Sequence, residues 1–161
     1  MARTKPTVYV ETTIISHLAA RPSRHAKILE LQVETHQWWN LYREDFLLLV
    51  SALVTKECTR GDAEAVQRRL ALLAPIEQIP ITEGIMDVAG ALVGPGALPP
   101  KAIDDAVHIA TAFATGCDYL LTWNLRHIAN SQIRREVERI LRSYGYTKTR
   151  ICTPKQLSTG A

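Results

Sequence analysis

Residues 101–124, KAIDDAVHIATAFATGCDYLLTWN, decide how this chain folds. From Lys101 onward the small and apolar side chains recur at helical spacing, and Gly116 closes the run as a C-cap glycine. Tyr119-Leu120-Leu121-Thr122 follows at once as a short strand. A helix leading directly into a strand begins an alternation that continues in both directions.

Upstream, Gly94-Pro95-Gly96 and Pro99-Pro100 make the one clear loop, an ordinary surface connection by composition. Before it, Thr82-Glu83 opens a helix through Ile85, Val88, Ala89 and Leu92, and Ile76 to Ile79 forms a short strand between Pro75 and Pro80. A helix covers about Ala63 to Leu73, set off by Gly61-Asp62 from another that carries Leu53, Val54, Glu57 and Cys58 behind a Ser51 cap. Phe46 to Val50 is a strand. From Ser23, a plausible N-cap, to Arg43 the positions Ile28, Leu31, Trp38, Leu41 and Tyr42 predict a helix with an apolar face. Thr7 to Val10 is the first strand, and the helix after it, through Ile14, Ile15, Leu18 and Ala19, ends near Arg21-Pro22. Downstream come a basic helix, Ser131 to Tyr144, and a final strand, Arg150 to Thr153, stopped by Pro154.

Strand and helix largely alternate, which predicts an α/β protein: a parallel sheet covered on both faces by helices. The 161 residues, 47% of them apolar, suffice for a single domain over 1–161 with a real core. The net charge of +3 permits binding to a polyanion without arguing for it. Cys58, Cys117 and Cys152 are dispersed, with no zinc-type spacing, and read as reduced thiols of a cytoplasmic protein. No signal peptide or membrane-spanning run is present. Glycine-rich nucleotide loops and hydrolase triad motifs are also missing.

In parallel sheets, ligands bind beyond the carboxyl ends of the strands. Among 16 acids, the informative ones therefore follow a strand or sit inside an apolar helix. Glu11 directly follows the first strand. Glu57 lies in the helix after the second, placed to project back over the same edge. Asn124 follows Leu121-Thr122, whereas Asp118 precedes that strand and belongs to the opposite edge. Asp105 is the most unusual acid. Ile103, Val107, Ala110 and Phe113 form the main core stripe of its helix, and Asp105 lies roughly opposite, beside Ile109 and Ala112. A carboxylate on that second apolar face is costly without a metal or partner. Singly, each residue has an ordinary explanation. Glu11 serves as a helix N-terminal acid, Glu57 as solvated surface, Asp105 as a partner of Lys101, and Asn124 as a turn cap. His108 and His127 read as half-buried and exposed residues, respectively. The argument rests on coincidence at one edge.

At these residues the sequence resembles the PIN-domain nucleases, including the VapC-type toxins of toxin–antitoxin pairs. The likeness is carried by VYVETTIISHL (8–18), DAVHIATA (105–112) and CDYLLTWNLRHIAN (117–130), with Glu57 of LVTKEC matching by position. It implies a three-layer α/β/α sandwich around a central parallel sheet of about five strands. It further implies Mg²⁺- or Mn²⁺-dependent cleavage of RNA, an antitoxin partner and a homodimer. Glu11, Glu57, Asp105 and Asn124 become the expected catalytic set, with Glu11, Asp105 and Glu57 as metal ligands. Thr12, Asp104, Thr122, Arg126 and His127 become supporting or substrate-contacting residues, and Arg134 and Arg135 extend the basic patch beyond Asn124. The sequence departs from the family twice, with Glu11 and Asn124 where aspartate is usual. The rival expectation is a catalytically weak RNA- or protein-binding PIN module.

Overall fold

A computed structural model describes residues 4–158. Its strands are β1 (Thr7–Val10), β2 (Leu47–Ser51), β3 (Glu77–Ile79), β4 (Tyr119–Leu121) and β5 (Arg150–Cys152). Its helices are α1 (Thr12–Ala19), α2 (Ala26–Tyr42), α3 (Ala52–Cys58), α4 (Ala63–Leu73), α5 (Glu83–Ala91), α6 (Ile103–Thr115), α7 (Ser131–Ser143) and α8 (Pro154–Ser158). All strand pairs are parallel, in the order β3-β2-β1-β4-β5, giving the expected three-layer α/β/α architecture.

The chain starts at the sheet's centre, builds outward to β3, then crosses back to place β4 on the other side of β1. That reversal opens a crevice beyond the carboxyl ends of β1 and β4. Val10 pairs with Leu121, so Glu11 and Thr122 emerge side by side. The Glu11 N–H donates to the Leu121 carbonyl at 3.1 Å, and the Thr122 N–H to the Cys152 carbonyl at 3.0 Å. Backbone pairing thus continues one residue into the site.

The central strands are buried on both faces, which is why they read as unbroken apolar runs. Val8, Tyr9, Val10, Leu120 and Leu121 are all fully covered, each aliphatic side chain contributing on the order of 1.5–3 kcal/mol by burial. Helix α6 is buried all round from Ala106 to Phe113. It ends at Gly116, whose φ of +74° lies in the left-handed region where a Cβ is unfavourable. The three cysteines are free and buried. Burial pushes the Cys58 and Cys117 thiols up to about 11 and Cys152 to about 12.

Several local expectations need correction. Ile103 is exposed, because the first turn of α6 lies outside the covered layer and the buried stretch starts at Ala106. On α2 the inward residues are Gln32, Thr35, Trp38 and Trp39, while Ile28 and Leu41 face outward. Thr35 earns its burial by accepting the Trp123 indole N–H at 2.7 Å. Ser23 does not cap α2, which starts three residues later; its hydroxyl accepts the His25 N–H within the preceding turn. Ser51 stands at the N-cap of α3 without a capping bond, its hydroxyl being engaged by Tyr9. Helix α8 was not expected. Thr153 and Gln156 open it with a reciprocal capping box, in which the Gln156 N–H reaches Thr153 Oγ1 and the Thr153 N–H reaches Gln156 Oε1.

Candidate active site

Glu11 is the N-cap of α1 and only 3% exposed. One oxygen, Oε2, takes every hydrogen bond: the Thr13 N–H at 3.1 Å, the Thr13 hydroxyl, and the Thr122 hydroxyl at 2.8 Å. Both hydroxyls are held in turn, accepting the backbone N–H groups of Trp123 (2.9 Å) and Asn124 (2.9 Å) respectively. The ETT sequence and the start of the β4–α7 connection therefore grip one carboxylate from two sides. Its other oxygen, Oε1, receives no hydrogen bond from the described residues. Burial raises the Glu11 pKa, and the opposing pull of His108, Thr13 and Thr122 does not cancel it. Burial therefore sets the direction against a nearby charge and the hydrogen bonds.

Glu57 projects from the last turn of α3. Its Oε1 accepts the Thr12 hydroxyl at 2.7 Å and His108 Nε2–H at 2.6 Å. Burial pushes the Glu57 carboxyl up, but the His108 bond and charge and the Thr12 hydroxyl outweigh it and leave it lowered. His108 is 1% exposed. Burial pulls its ring down, yet the Glu57 bond and the charges of Glu11, Glu57 and Asp105 leave its pKa raised. The two shifts agree: Glu57 and His108 favour the ionised pair.

Behind His108 runs a buried relay. Nδ1 lies 2.7 Å from Tyr9 Oη, which lies 2.8 Å from Ser51 Oγ. With the ring doubly protonated, Nδ1–H donates to Tyr9 and the phenol donates to Ser51. With a neutral ring, the phenol donates to Nδ1 and Ser51 donates to the phenol. Nε2–H faces Glu57 in either state, so the orientation of the carboxylate does not depend on the ring's charge. Burial drives the Tyr9 pKa strongly upward, so the phenol stays neutral.

Asp105 sits at the half-buried start of α6 and accepts His127 Nδ1–H at Oδ2, 2.7 Å away. The His127 backbone N–H donates to Asn124 Oδ1 at 3.0 Å. Asn124 thus organises the turn that delivers His127 to Asp105. Asp104 is exposed and takes no part in these bonds. Arg126 is exposed beside the turn.

The three acids share a pattern: bonds fall on one oxygen each, and Glu11 Oε1, Glu57 Oε2 and Asp105 Oδ1 receive none from the described residues. Among the described residues, no three His, Cys, Asp or Glu side chains form a ready-made metal cage. A hard cation such as Mg²⁺ needs no such cage, because one or two carboxylates, waters and substrate oxygens complete its shell. The all-oxygen donor set, with one unbonded oxygen on each of Glu11, Glu57 and Asp105, fits such an ion.

The PIN domain family model matches residues 8–131, most of the chain. The chain belongs to the PIN-domain family. Among solved structures, this PIN domain resembles VapC20 of Mycobacterium tuberculosis, described as a sarcin-ricin-loop-cleaving toxin. The TM-score is 0.58 at 13% identity, over 88% of this chain and 97% of that one. It also resembles VapBC2 from Rickettsia felis, solved bound to a DNA fragment from its promoter, with a TM-score of 0.53 at 12% identity over 91% and 98% of the two chains. At these identities the likeness is one of fold. No curated protein matches the sequence.

The fold brings Glu11, Glu57, Thr12, Thr122, Asn124, Asp105 and His127 to one end of the sheet and leaves Asp104 outside the network. His127 stands among the expected supporting residues, whereas His108, Thr13, Tyr9 and Ser51 do not. Thr13 had a local signal, since a residue two beyond an N-cap is where the capping bond falls. Tyr9 and Ser51 had none, because Tyr9 lies 99 residues from His108 and 42 from Ser51 in the sequence.

Proposed function

We propose that this PIN domain is a divalent-cation-dependent endoribonuclease that hydrolyses RNA phosphodiester bonds, acting as the toxin of a toxin–antitoxin pair. The observation that carries this reading is the hydrogen-bond network beyond the carboxyl ends of β1 and β4, which ties Glu11 to Thr122, Glu57 to Thr12 and His108, and Asp105 to His127. Glu11 and Asp105 would hold Mg²⁺ or Mn²⁺ through their unbonded oxygens, with Glu57 binding directly or through water. When bound, the cation supplies a Lewis acid that acidifies water and offsets charge gathering on the phosphate.

The chain's own residues do the positioning. Thr13 and Thr122 fix Glu11, and Thr12 with His108 fixes Glu57. His127 orients Asp105 and offers its outer ring edge to the substrate. Arg126 supplies a nearby positive charge for the RNA backbone. The structural neighbour described as a sarcin-ricin-loop-cleaving toxin supports RNA as substrate, and the VapBC assembly supports an antitoxin. A partially apolar groove beside α2, lined by Leu18, Ala19, Pro22, Leu29 and Val33, offers a surface for such a partner. The same reading includes a homodimer and a cytoplasmic setting, where the three free thiols stay reduced. No described helix is long and apolar enough to cross a membrane.

One observation favours a second reading, a catalytically weak RNA- or protein-binding module. Asn124 adds no charge, and its Oδ1 is already engaged by the His127 N–H. Incubating the protein with mixed RNAs, with and without Mg²⁺ or Mn²⁺, beside Asp105→Asn separates the two. The nuclease reading expects cation-dependent cleavage that falls about a hundredfold or more in the variant. Absence of such cleavage, with equal RNA binding by both proteins, would establish the binding module instead.

A further inference from the structure

Away from the acids, a cleft of about 430 Å³ runs between α7 and the open edge of β5. Arg134, Arg142 and Arg150 all line it, with Glu138 as the single acid among the lining residues. Arg134 Nε is sealed from solvent and has no hydrogen-bond partner. None of the three arginines makes an ion pair among the described residues, although their helix carries acids. Glu136 pairs instead with Arg139, on a different side of α7. Three guanidinium groups that outnumber the one acid beside them, one with a buried N–H left unmet, form a place prepared for an oxyanion.

We infer that this cleft holds a backbone phosphate of the RNA strand, beside the cleavage site and separate from it. The inference rests on the nuclease reading for its substrate but not for its site. Two features favour phosphate. The planar forks of several arginines suit its oxygens. The cleft also begins near the acids: Arg134 lies in the first turn of α7, directly after the Asn124–Asn130 segment that carries His127. At the other wall, Cys152 of β5 pairs with Leu121, the residue before Thr122. Both walls of the cleft thus continue directly into the segments that carry His127 and Thr122. Arg134 leaves the exposed basic patch expected with Arg126 and Arg135 and joins Arg142 and Arg150 instead.

Two measurements test this, both in EDTA so that cation binding and cleavage do not intervene. In the first, inorganic phosphate is titrated while the arginine Nε–H signals are followed by NMR. Saturable shifts of the Arg134 and Arg150 signals support the site; unsaturated drift, or no shift, overturns it. In the second, binding of a short single-stranded RNA is measured against salt for wild type, Arg134→Gln, Arg150→Gln and the control Arg139→Gln. Loss of a phosphate contact should flatten the slope of log affinity against log salt by about 0.7. That flattening is expected in the first two variants and not in Arg139→Gln. Equal slopes in all four proteins overturn the proposal, as does an oligoglutamate peptide displacing phosphate from the cleft more readily than RNA does. Arg150 is exposed, so its variant remains informative if Arg134→Gln fails to fold. Phosphate binding without any RNA cleavage would sink the nuclease reading and leave the site standing. Cleavage with unaltered salt slopes would do the reverse.

Discussion

The two ends of the central sheet treat carboxylates in opposite ways. At the amino end, Asp118 accepts the Thr7 N–H at 2.8 Å and the Thr7 hydroxyl at 3.0 Å, and pairs with Lys148 at 3.3 Å. Led by the Thr7 backbone bond, these partners hold its pKa below the ordinary carboxylate range. At the carboxyl end, Glu11 is buried and its pKa is raised. Asp118 ties β1 to β4 and stabilises the fold. Glu11 occupies the same pair of strands at their other end, where burial outweighs the His108 charge and the threonine bonds. The same residue chemistry thus serves stability at one end and is buried at some cost to the fold at the other, where the proposed function places a cation.

The comparison breaks most visibly at His108, the positive group that the acidic end does contain. His108→Ala removes a buried ring and leaves Glu57 without its ionic partner, and is expected to cost about 3 kcal/mol in denaturant unfolding. The folded-state pKa of His108 is raised, so its contribution is present below the unfolded value and is lost as pH rises through the folded one. The stability gap between wild type and variant should therefore narrow toward alkaline pH. A gap that widens with pH would contradict the ionised pair.

Tyr9→Phe comes next. It leaves His108 Nδ1 and the Ser51 hydroxyl unmatched in the core, with an expected loss of about 1–2 kcal/mol. Because the ring then loses its anchor, RNA cleavage should fall by about tenfold, in line with losses of supporting contacts around metal ligands. Unchanged cleavage would show that the relay serves packing alone.

Asp118→Asn is the smallest. It should cost about 1 kcal/mol at neutral pH, and cleavage should be unaltered. The folded pKa is depressed, so this stability is present above the unfolded value and disappears as pH falls through the folded one. The wild type and variant should converge in acid, the opposite pH sign to His108.

How much of this could be read beforehand follows from the range of each interaction. Strand order along the chain, the parallel alternation and the placement of Glu11 and Asp118 at opposite edges are consequences of local periodicity, and the sequence showed them. Glu57 was placed by helix length alone, and α3 does aim it at the right edge. The α2 face was misread because Thr35 and Gln32 are buried through specific polar partners that hydrophobic spacing does not register. His108 looked unremarkable for the same reason. Its significance comes from Tyr9, Ser51 and Glu57, which only the folded crevice brings together. The arginine cleft also joins residues from α7 and β5 that no local pattern links.

The central claim concerns Glu11, and thermal unfolding of Glu11→Gln with and without Mg²⁺ or Mn²⁺ tests it most directly. Glutamine keeps an oxygen for the Thr13 and Thr122 donors while removing the buried charge. Without cation, the variant should melt at or above the wild-type temperature. With cation at about a hundred times its Kd, the wild type should gain about 2.7 kcal/mol and the variant far less. A variant that melts well below wild type without cation, or a wild type whose melting ignores both ions, would contradict the account.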